Sequence, residues 1–379
     1  MNLSKFKKIV WVAHESNKSG ANLFLLEYVE LLSKVGYNQL VIIPHRGNMQ
    51  MELDKLGVAS KVIHYYSWVR PVDRSLSITL ILKRNGRNLI AFLNFVKLFF
   101  EFKPNVVFTN TSVINIGAIA AMFYKAKHLW YIHEMGEEDF NFKLPWGKFS
   151  YIFMNAVSHK LLTNSEHLRK KYVDQFDKIN IEVLRNIVKV YDYNPVIKFN
   201  QGDTIKLLLL GQITEAKGHL IAIQAISLLR LKGYPVELSI VGTANDDIFF
   251  QKMKSNVTSL SLTKFIHYSG YSEDVSNLIS NHHALLMCSK CEAFGRVTAE
   301  AMKIGIPVIG SNTCGTKELI DHKKTGMLFD TGSSQSLANE IKELFDNVNL
   351  REEIVIAAKQ KIETLLGERH IVNFFNNEI

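Results

Sequence analysis

The sequence predicts an α/β protein of two domains, each built on a parallel β-sheet with helices on both faces. Two observations carry this prediction. Short apolar runs alternate with helical patterns along the chain, and a polar stretch interrupts the alternation near the middle. At 379 residues the chain is also long for a single hydrophobic core. We expect an N-terminal domain over 1–190, a C-terminal domain over 204–365 and a final segment over 366–379.

In the N-terminal half, bounded apolar runs indicate strands, and apolar residues three and four positions apart indicate helices. Ligands of such folds bind at the carboxyl ends of the parallel strands. The predicted elements are Lys8–Ala13, Gly20–Lys34, Gln39–Ile43, Met49–Leu56, Lys61–Tyr65, Leu76–Phe102, Val106–Thr109, Val113–Tyr124, Leu129–His133, Trp146–Val157, Lys160–Thr163, Glu166–Phe176 and Ile181–Leu184.

The polar stretch Val188–Asp203 contains Asn-Pro and Gln-Gly turn signals, and we interpret it as the linker. The same alternation then resumes. The predicted elements of this half are Ile205–Leu210, a helix ending at Leu231, Val236–Val241, Phe265–Ser269, Ala284–Met287, Arg296–Lys303, Val308–Ile309, Leu337–Phe345, Glu352–Thr364 and His370–Asn377.

Charge and cysteine content narrow the class of protein. Residues 1–200 carry a net charge of +11 and residues 201–379 a net charge of −2, which favours an anionic lipid surface or a phosphate-bearing acceptor for the first half. Zinc-finger spacing and aromatic RNA-binding motifs are absent, so we expect no nucleic-acid partner. The 3 cysteines are too few for a disulfide framework and fit a reducing compartment, and no apolar run is long enough to span a membrane. We expect a cytoplasmic protein, peripheral at the inner face of the membrane.

The stretch 288–310 carries the main chemical signal. Ala284–Met287 predicts a buried strand, and a helix then starts at Arg296, so Glu292 lies before the helix N-terminus and Glu300 about one turn inside it. A helix N-terminus suits a phosphate and carboxylates suit hydroxyls, a combination that a nucleotide sugar would match. The alternative is that Glu292 caps the helix or is only solvated and that Glu300 is an ordinary exposed residue.

This stretch resembles the E-x7-E motif of glycosyltransferase family 4. Glu292-Ala-Phe-Gly295, Glu300-Ala-Met and Gly305-Ile-Pro307-Val-Ile follow that motif, and a weaker likeness extends over almost the full length. The resemblance implies that Glu292 contacts the transferred sugar and that Glu300 binds the ribose. It also implies that the nucleotide-sugar donor is bound by residues of the loop and the helix start, namely Phe294, Gly295, Arg296 and Val297.

Further donor residues follow from the resemblance in the C-terminal half. Lys217 and Gly218 match the family's Lys-Gly pair beside the donor diphosphate. Gln212 stands where the family has an arginine, so an ionic contact with the diphosphate is missing there. Tyr271 lies where the family holds the nucleotide base.

The resemblance also assigns residues in the N-terminal half. His133, at the end of a predicted strand, would point towards the reacting sugar, and Glu134 is a candidate on the acceptor side. Gly20 lies where the family has a glycine pair beside the donor phosphates, although Ser19 replaces the first glycine. From the residues alone, an isolated histidine is more often structural, and the Gly20 loop also fits a simple turn with a helix cap.

The resemblance implies the GT-B fold, in which two Rossmann-like domains face each other across a cleft and the last helix crosses back to the first domain. It implies a retaining transferase that needs neither cofactor nor metal. In it the catalytic set would be His133, Glu292 and Lys217, and the donor phosphate would take the acceptor proton. The expected reaction moves a sugar from a nucleotide sugar, most commonly a UDP-sugar, to a saccharide or lipid-linked saccharide in cell-surface polysaccharide assembly.

Two other functions stay open from the sequence. Gln212 and the incomplete glycine pair also fit a non-catalytic partner subunit that kept the fold and binds a transferase or an acceptor. A further possibility is another GT-B enzyme, such as a nucleotide-sugar epimerase. The close match over 292–310 argues against the epimerase.

Two further sequence patterns give weaker signals. Asn88 to Lys103 places apolar residues at helical spacing among basic ones, which fits a helix on an anionic membrane or a helix packed on the sheet. Cys288-Ser-Lys-Cys291 has CxxC spacing, but without a second such pair it gives little support to a metal or redox site.

Overall fold

The computed structural model describes residues 7–17, 19–72, 77–136, 142–174, 180–189, 195, 199–200, 202–244 and 246–378. Its backbone divides into two compact units. The first comprises Met1–Ile187 with Leu366–Ile379, and the second comprises Val188–Leu365. Much of the stretch predicted as the linker lies outside the described residues.

A parallel β-sheet forms the centre of the first unit. Its order is β3-β2-β1-β5-β6-β8-β9, and β4 and β7 form a separate antiparallel pair. The strands of this unit are β1 (Lys8–Ala13), β2 (Asn38–Ile43), β3 (Ala59–Val62), β4 (Arg70–Pro71), β5 (Val106–Asn110), β6 (Lys127–Ile132), β7 (Phe142–Lys143), β8 (Lys160–Thr163) and β9 (Ile181–Val183). The chain turns back across the sheet between β1 and β5, where Ala13 lies opposite Asn110. This switch point is where α/β sheets of this kind bind ligands.

Helices cover both faces of this sheet because its strands are apolar on both sides. Ile9 to Ala13 are all fully buried, for example. The helices are α1 (Gly20–Lys34), α2 (Asn48–Lys55), α3 (Ile78–Phe102), α4 (Ile116–Tyr124), α5 (Lys148–Val157) and α6 (Glu166–Val173). Serine caps start α1 and α3: Ser19 Oγ accepts from the Asn22 amide and Ser77 Oγ from the Leu80 amide.

The second unit has a six-stranded parallel sheet in the order β12-β11-β10-β13-β14-β15. Its strands are β10 (Ile205–Leu210), β11 (Val236–Val241), β12 (Ile266–Ser269), β13 (Ala284–Met287), β14 (Val308–Ser311) and β15 (Met327–Phe329). Here the switch point lies between β10 and β13. The loops that follow these two strands are those for which the sequence predicts donor binding.

The helices of the second unit are α7 (His219–Leu231), α8 (Asp247–Ser259), α9 (Val275–Ser280), α10 (Arg296–Ile304), α11 (Cys314–Leu319), α12 (Ser334–Asp346) and α13 (Val348–Leu365). Four of them, α7, α8, α12 and α13, pack one apolar core against that sheet. A last helix, α14 (Glu368–Glu378), belongs to the first unit, where Ile371, Phe374 and Phe375 join the buried core beside α1. None of the described helices combines the length and the apolar character that crossing a bilayer demands.

Most predicted elements agree with the structure, and the differences have physical reasons. The strand predicted over Lys61–Tyr65 is observed at Ala59–Val62, because Tyr65 leaves the sheet and donates its hydroxyl to the carbonyls of Ala13 and Ile42. Helix α8 was not predicted, although its start carries a clear signal. Asp246 caps that helix by accepting a hydrogen bond from the Phe249 amide at 3.1 Å.

A buried histidine makes the stability of the first unit depend on pH. His128 Nε2 lies 2.8 Å from Thr109 Oγ1, and burial lowers the pKa of His128 to about 3. Because the pKa of His128 is lower in the folded protein than in the unfolded chain, its contribution to the free energy of unfolding is complete above the unfolded-state pKa of about 6.5. That contribution is lost as the pH falls towards 3.

We therefore expect His128→Gln to reduce the slope of unfolding free energy against pH by about 1.4 kcal/mol per pH unit between about pH 6 and 4. All 4 tryptophans, Trp11, Trp68, Trp130 and Trp146, lie in the first unit, so their fluorescence during urea unfolding reports this unit. His64→Gln, at an exposed histidine, is the matched control and should keep the original slope. An unchanged slope in the His128 variant would contradict the assignment.

Candidate active site

The loop between β13 and α10, residues 288–295, is the centre of the candidate site. Hydrogen bonds to backbone groups of this loop attach it to neighbouring segments of the second unit. The Lys290 amide donates to the Ala216 carbonyl at 2.9 Å, and the Gly315 amide donates to the Glu292 carbonyl at 2.8 Å. Ser311 Oγ donates to the Ser289 carbonyl at 2.7 Å. The loop is therefore fixed on one side by the segment that follows β10 and on the other side by the end of β14 and the segment that follows it.

Lys217 and Glu292 form an ion pair across the switch point. Lys217, at the end of the short 3-10 turn Glu215–Lys217, places Nζ 2.5 Å from Glu292 Oε1. Ser289 Oγ donates to the same oxygen at 2.5 Å. Within the described part of the chain both of these bonds use Oε1, so Oε2 of Glu292 remains able to accept hydrogen bonds from a ligand. The Lys217 side chain is 34% exposed and can be reached from solvent.

Glu300 is oriented by a second ion pair, on the first turns of α10. Arg296 Nε lies 2.9 Å from Glu300 Oε1, and these residues are four positions apart on one helix face. The Glu300 side chain is only 11% exposed. The two acidic residues of the motif therefore each have a cationic partner of their own, Glu292 in the loop before α10 and Glu300 about one turn inside it.

Two glycines near this site are required by close backbone packing. Gly218 has φ of +71°, and a Cβ there would lie 2.1 Å from the Cys288 carbonyl oxygen. A Cβ on Gly315 would lie 2.7 Å from the Ala293 carbonyl oxygen. Any side chain at either position would displace the 288–295 loop, so these glycines position Glu292 whether or not they also approach a ligand.

The other residues of the second unit that are predicted to bind the donor follow β10, β12 and β13. Phe294 is buried, Gly295 caps α10 with φ of +85°, and Val297 is half-buried on the first turn. Gln212 is exposed just after β10. Tyr271 follows β12 and is 63% exposed. Their contacts with a donor remain predictions.

In the first unit, His133 follows β6 at the sheet's carboxyl edge. Its Nε2 lies 2.7 Å from Asn110 Oδ1, while Asn110 Nδ2 donates to the Ala21 carbonyl at 2.8 Å. That second bond fixes the amide so that Oδ1 accepts, and His133 therefore carries its proton on Nε2 and presents Nδ1 as an acceptor. Burial, and secondarily the nearby His14, lower the pKa of His133 well below its usual range. His133 is thus neutral at neutral pH.

Glu134 and Gly20 have structural surroundings that the sequence did not reveal. The Glu134 carboxylate is buried and accepts from the Ser112 hydroxyl at 2.9 Å and from the amides of Ser112 and His133. It therefore organises the loop after β5. No described residue has an atom within 4 Å of a Cβ placed on Gly20, so packing against these residues does not require a glycine there.

Asn110 and Ser289 are the candidate-site residues that sequence reasoning missed. Asn110 had a signal, since it is a polar residue at the carboxyl end of a buried strand. Ser289 had none, because its bond to Glu292 depends on the conformation of the loop.

The cysteines form one disulfide, which their number did not predict. Cys291 and Cys314 are bonded, with Cα atoms 5.3 Å apart. Cys288, the other half of the CxxC pattern, is a buried free thiol whose pKa is raised by burial. The disulfide attaches the residue before Glu292 to the start of α11, beside the Gly315–Glu292 hydrogen bond.

Two family models match this chain. The model for glycosyl transferases group 1 matches residues 194–361, and the model for Glycosyltransferase Family 4 matches residues 18–190. The chain belongs to glycosyltransferase family 4. The resemblance drawn from residues 292–310 is confirmed.

Relatives of this family-4 chain include enzymes of polysaccharide assembly. It is 26% identical to the amylovoran biosynthesis glycosyltransferase AmsK of Erwinia amylovora, over 50% of this chain and 47% of AmsK. It is also 26% identical to the capsular polysaccharide biosynthesis glycosyltransferase CapM of Staphylococcus aureus, over 45% of this chain and 44% of CapM. The chain thus spans about half the length of these curated relatives.

A solved structure shows the same fold. Anabaena HepE in complex with UDP-glucose has a TM-score of 0.78 and 18% identity, covering 98% of this chain and 99% of HepE. The predicted GT-B fold class is confirmed. At this identity the likeness shows the fold alone, and the roles of individual site residues remain predictions.

The disulfide generates a stability prediction for the second unit of the family-4 chain. It closes a loop with a sequence separation of 23, so Cys314→Ser should lower the unfolding free energy by about 3 kcal/mol under non-reducing conditions. Differential scanning calorimetry measures the change. In the presence of a reductant, wild type and variant should unfold at similar temperatures. Three titratable thiols in the denatured, unreduced wild type would contradict the assignment.

Proposed function

We propose that this chain is a retaining glycosyltransferase that moves a hexosyl group from a UDP-sugar to a saccharide or lipid-linked saccharide acceptor in cell-surface polysaccharide assembly. The observation that carries the proposal is the Lys217–Glu292 pair at the switch point of the second unit, beside the start of α10. The polysaccharide-biosynthesis roles of AmsK and CapM and the UDP-glucose bound to HepE support the substrate class.

The side chains of the second unit suit the two halves of a nucleotide sugar. Lys217 has three N–H donors, and one points to Glu292, which leaves donors for a departing diphosphate. Oε2 of Glu292 would accept from a sugar hydroxyl. Glu300, oriented by Arg296, would accept from the ribose hydroxyls. We propose that Lys217 and the N-terminal amides of α10 stabilise the leaving group without a metal ion.

The first unit would supply the acceptor side. His133 presents its Nδ1 lone pair, so it would accept a hydrogen bond from a sugar hydroxyl rather than donate a proton. We propose that the donor phosphate takes the acceptor proton, so that no protein nucleophile is needed.

Donor binding by Glu300 gives the decisive test. In isothermal titration calorimetry, UDP should bind the wild type more tightly than GDP or ADP. Loss of charge-assisted hydrogen bonds to the ribose should make Glu300→Ala bind UDP about tenfold or more weakly. Glu363→Ala, at an exposed glutamate of α13, is the matched control. Normal UDP binding and turnover by Glu300→Ala would refute the ribose assignment.

A second candidate function is favoured by Gln212, which is exposed and neutral where the family has an arginine. On this alternative the chain is a non-catalytic partner subunit. The same titration separates the two functions, because a partner that has lost its donor site would bind no nucleoside diphosphate.

We also propose that the chain binds the inner face of the membrane through the α3 surface, defined as the exposed apolar residues Ile78, Leu80, Leu82, Leu89, Ile90 and Leu93. The interpretation of this helix as purely a core helix is too simple. Its buried residues are Ala91, Phe95 and Phe99, all in the second half, while its first half contains no buried residue. No acidic residue occurs between 77 and 100, whereas four basic ones do, which suits anionic lipid.

The membrane proposal predicts that Ile78→Ser/Leu82→Ser binds vesicles containing phosphatidylglycerol about tenfold or more weakly than wild type. These two side chains are 76% and 65% exposed, so their replacement should not disturb folding. In the wild type each of them would bury apolar area in a bilayer, and this contribution to binding is lost in the variant. Co-sedimentation measures the partition. Ile248→Ser, at an apolar side chain of the second unit that is 84% exposed, is the control. Equal binding by both variants would refute the α3 surface.

A further inference from the structure

A cavity of about 510 Å³ opens in the first unit, beside the α3 surface. Its walls come from residues 67–70, the first half of α3, the start of α4 and residues 145–146. Its volume lies within the range of small-molecule sites, about 300–1,000 Å³. The lining residues provide both an apolar wall and a cationic end.

The apolar wall is made of aromatic and branched side chains. Trp68 and Trp146 meet edge to face with ring centroids 5.5 Å apart, and Leu89, Phe92 and Ile119 complete the wall. Leu89 is 62% exposed and Trp146 is 52% exposed, so the wall continues onto the outer surface instead of closing inside the unit. A hydrocarbon chain could therefore pass directly from a bilayer that covers the α3 surface into the cavity, along this wall.

Two arginines form the cationic end. Arg84 Nη2 donates to the Ser67 carbonyl and to Ser67 Oγ, which holds the guanidinium in place. In the described part of the chain these bonds use Nη2 alone, so Nε and Nη1 can donate to a ligand. Arg70 lies on β4, is exposed and has no side-chain partner among the described residues. None of the described lining residues is acidic, so nothing there neutralises the two guanidinium groups.

We propose that this cavity binds a lipid phosphate, with the hydrocarbon chain along Trp68, Trp146 and Leu89 and the phosphate at Arg70 and Arg84. A neutral lipid would leave the two guanidinium groups without an anionic partner, and a free sugar phosphate would leave the apolar wall exposed to water. The inference rests on the proposed function, because a lipid phosphate at this position would be the carrier of a lipid-linked acceptor.

Farnesyl phosphate is a suitable soluble probe for the full chain. Trp68 and Trp146 line the cavity, so their fluorescence should report binding, and calorimetry provides an independent affinity. We expect farnesyl phosphate to bind about tenfold or more tightly than farnesol or inorganic phosphate, because each of these compounds makes only half of the contacts. Dihexanoyl phosphatidylglycerol should bind more weakly than farnesyl phosphate if the ligand is a carrier phosphate. Tighter binding of the phosphatidylglycerol would show that the cavity binds membrane headgroups, and it would contradict the assignment of the ligand as a carrier phosphate.

Two exposed positions allow the site to be altered without risk to the fold. Arg70→Gln should weaken farnesyl phosphate binding about tenfold and leave farnesol binding unchanged, with Arg369→Gln on α14 as the matched control. Leu89→Ser should weaken the binding of both farnesyl phosphate and farnesol, and Val35→Ser is its control. Equal affinities of wild type, Arg70→Gln and Leu89→Ser for farnesyl phosphate would overturn the proposal.

Nucleotide binding separates this proposal from the proposed function. UDP titration should give the same affinity for wild type and Arg70→Gln, because Arg70 belongs to the first unit and the donor side chains to the second. If the chain binds farnesyl phosphate but not UDP, the transferase function is contradicted and the lipid-phosphate site is supported. The opposite result would remove the lipid site alone.

Discussion

The contact between Lys217 and Glu292 is the interaction on which the candidate site depends. It joins the loop after β10 to the loop after β13, the two strands that flank the switch point of the second sheet. The Lys290–Ala216 backbone hydrogen bond and the packing of Gly218 on the Cys288 carbonyl fix the same two loops to each other. Cation and carboxylate are thereby placed side by side before any ligand binds, which reduces the ordering cost of binding.

Much of this arrangement could be predicted because its signals are local. Apolar runs gave the bounds of β1, β10, β11 and β13 to the residue, since buried parallel strands read as continuous apolar segments. Glu292 and Glu300 were placed correctly around the start of α10 by the strand, the Phe294-Gly295 break and helical spacing. The Arg296–Glu300 pair was also within reach, since residues four apart on a helix face each other.

What could not be predicted depends on contacts between distant parts of the chain. The Cys291–Cys314 disulfide is one example, because spacing alone does not show which cysteines approach each other. The orientation of His133 is another, since it is set by Asn110, which is held in turn by the Ala21 carbonyl. Sequence reasoning found the histidine at the end of its strand, but only the hydrogen-bond chain shows which nitrogen carries the proton.

The α3 helix shows why apolar periodicity can be ambiguous and how charge resolves it. Apolar residues occur on most of its faces, so the pattern alone fits both a core helix and a surface helix. The sheet buries only the stripe of Ala91, Phe95 and Phe99. An exposed apolar half is unfavourable in water unless something covers it. Because residues 77 to 100 contain only basic charges, the covering that best fits this half is an anionic bilayer, and the two arginines of the adjoining cavity extend the same charge inward.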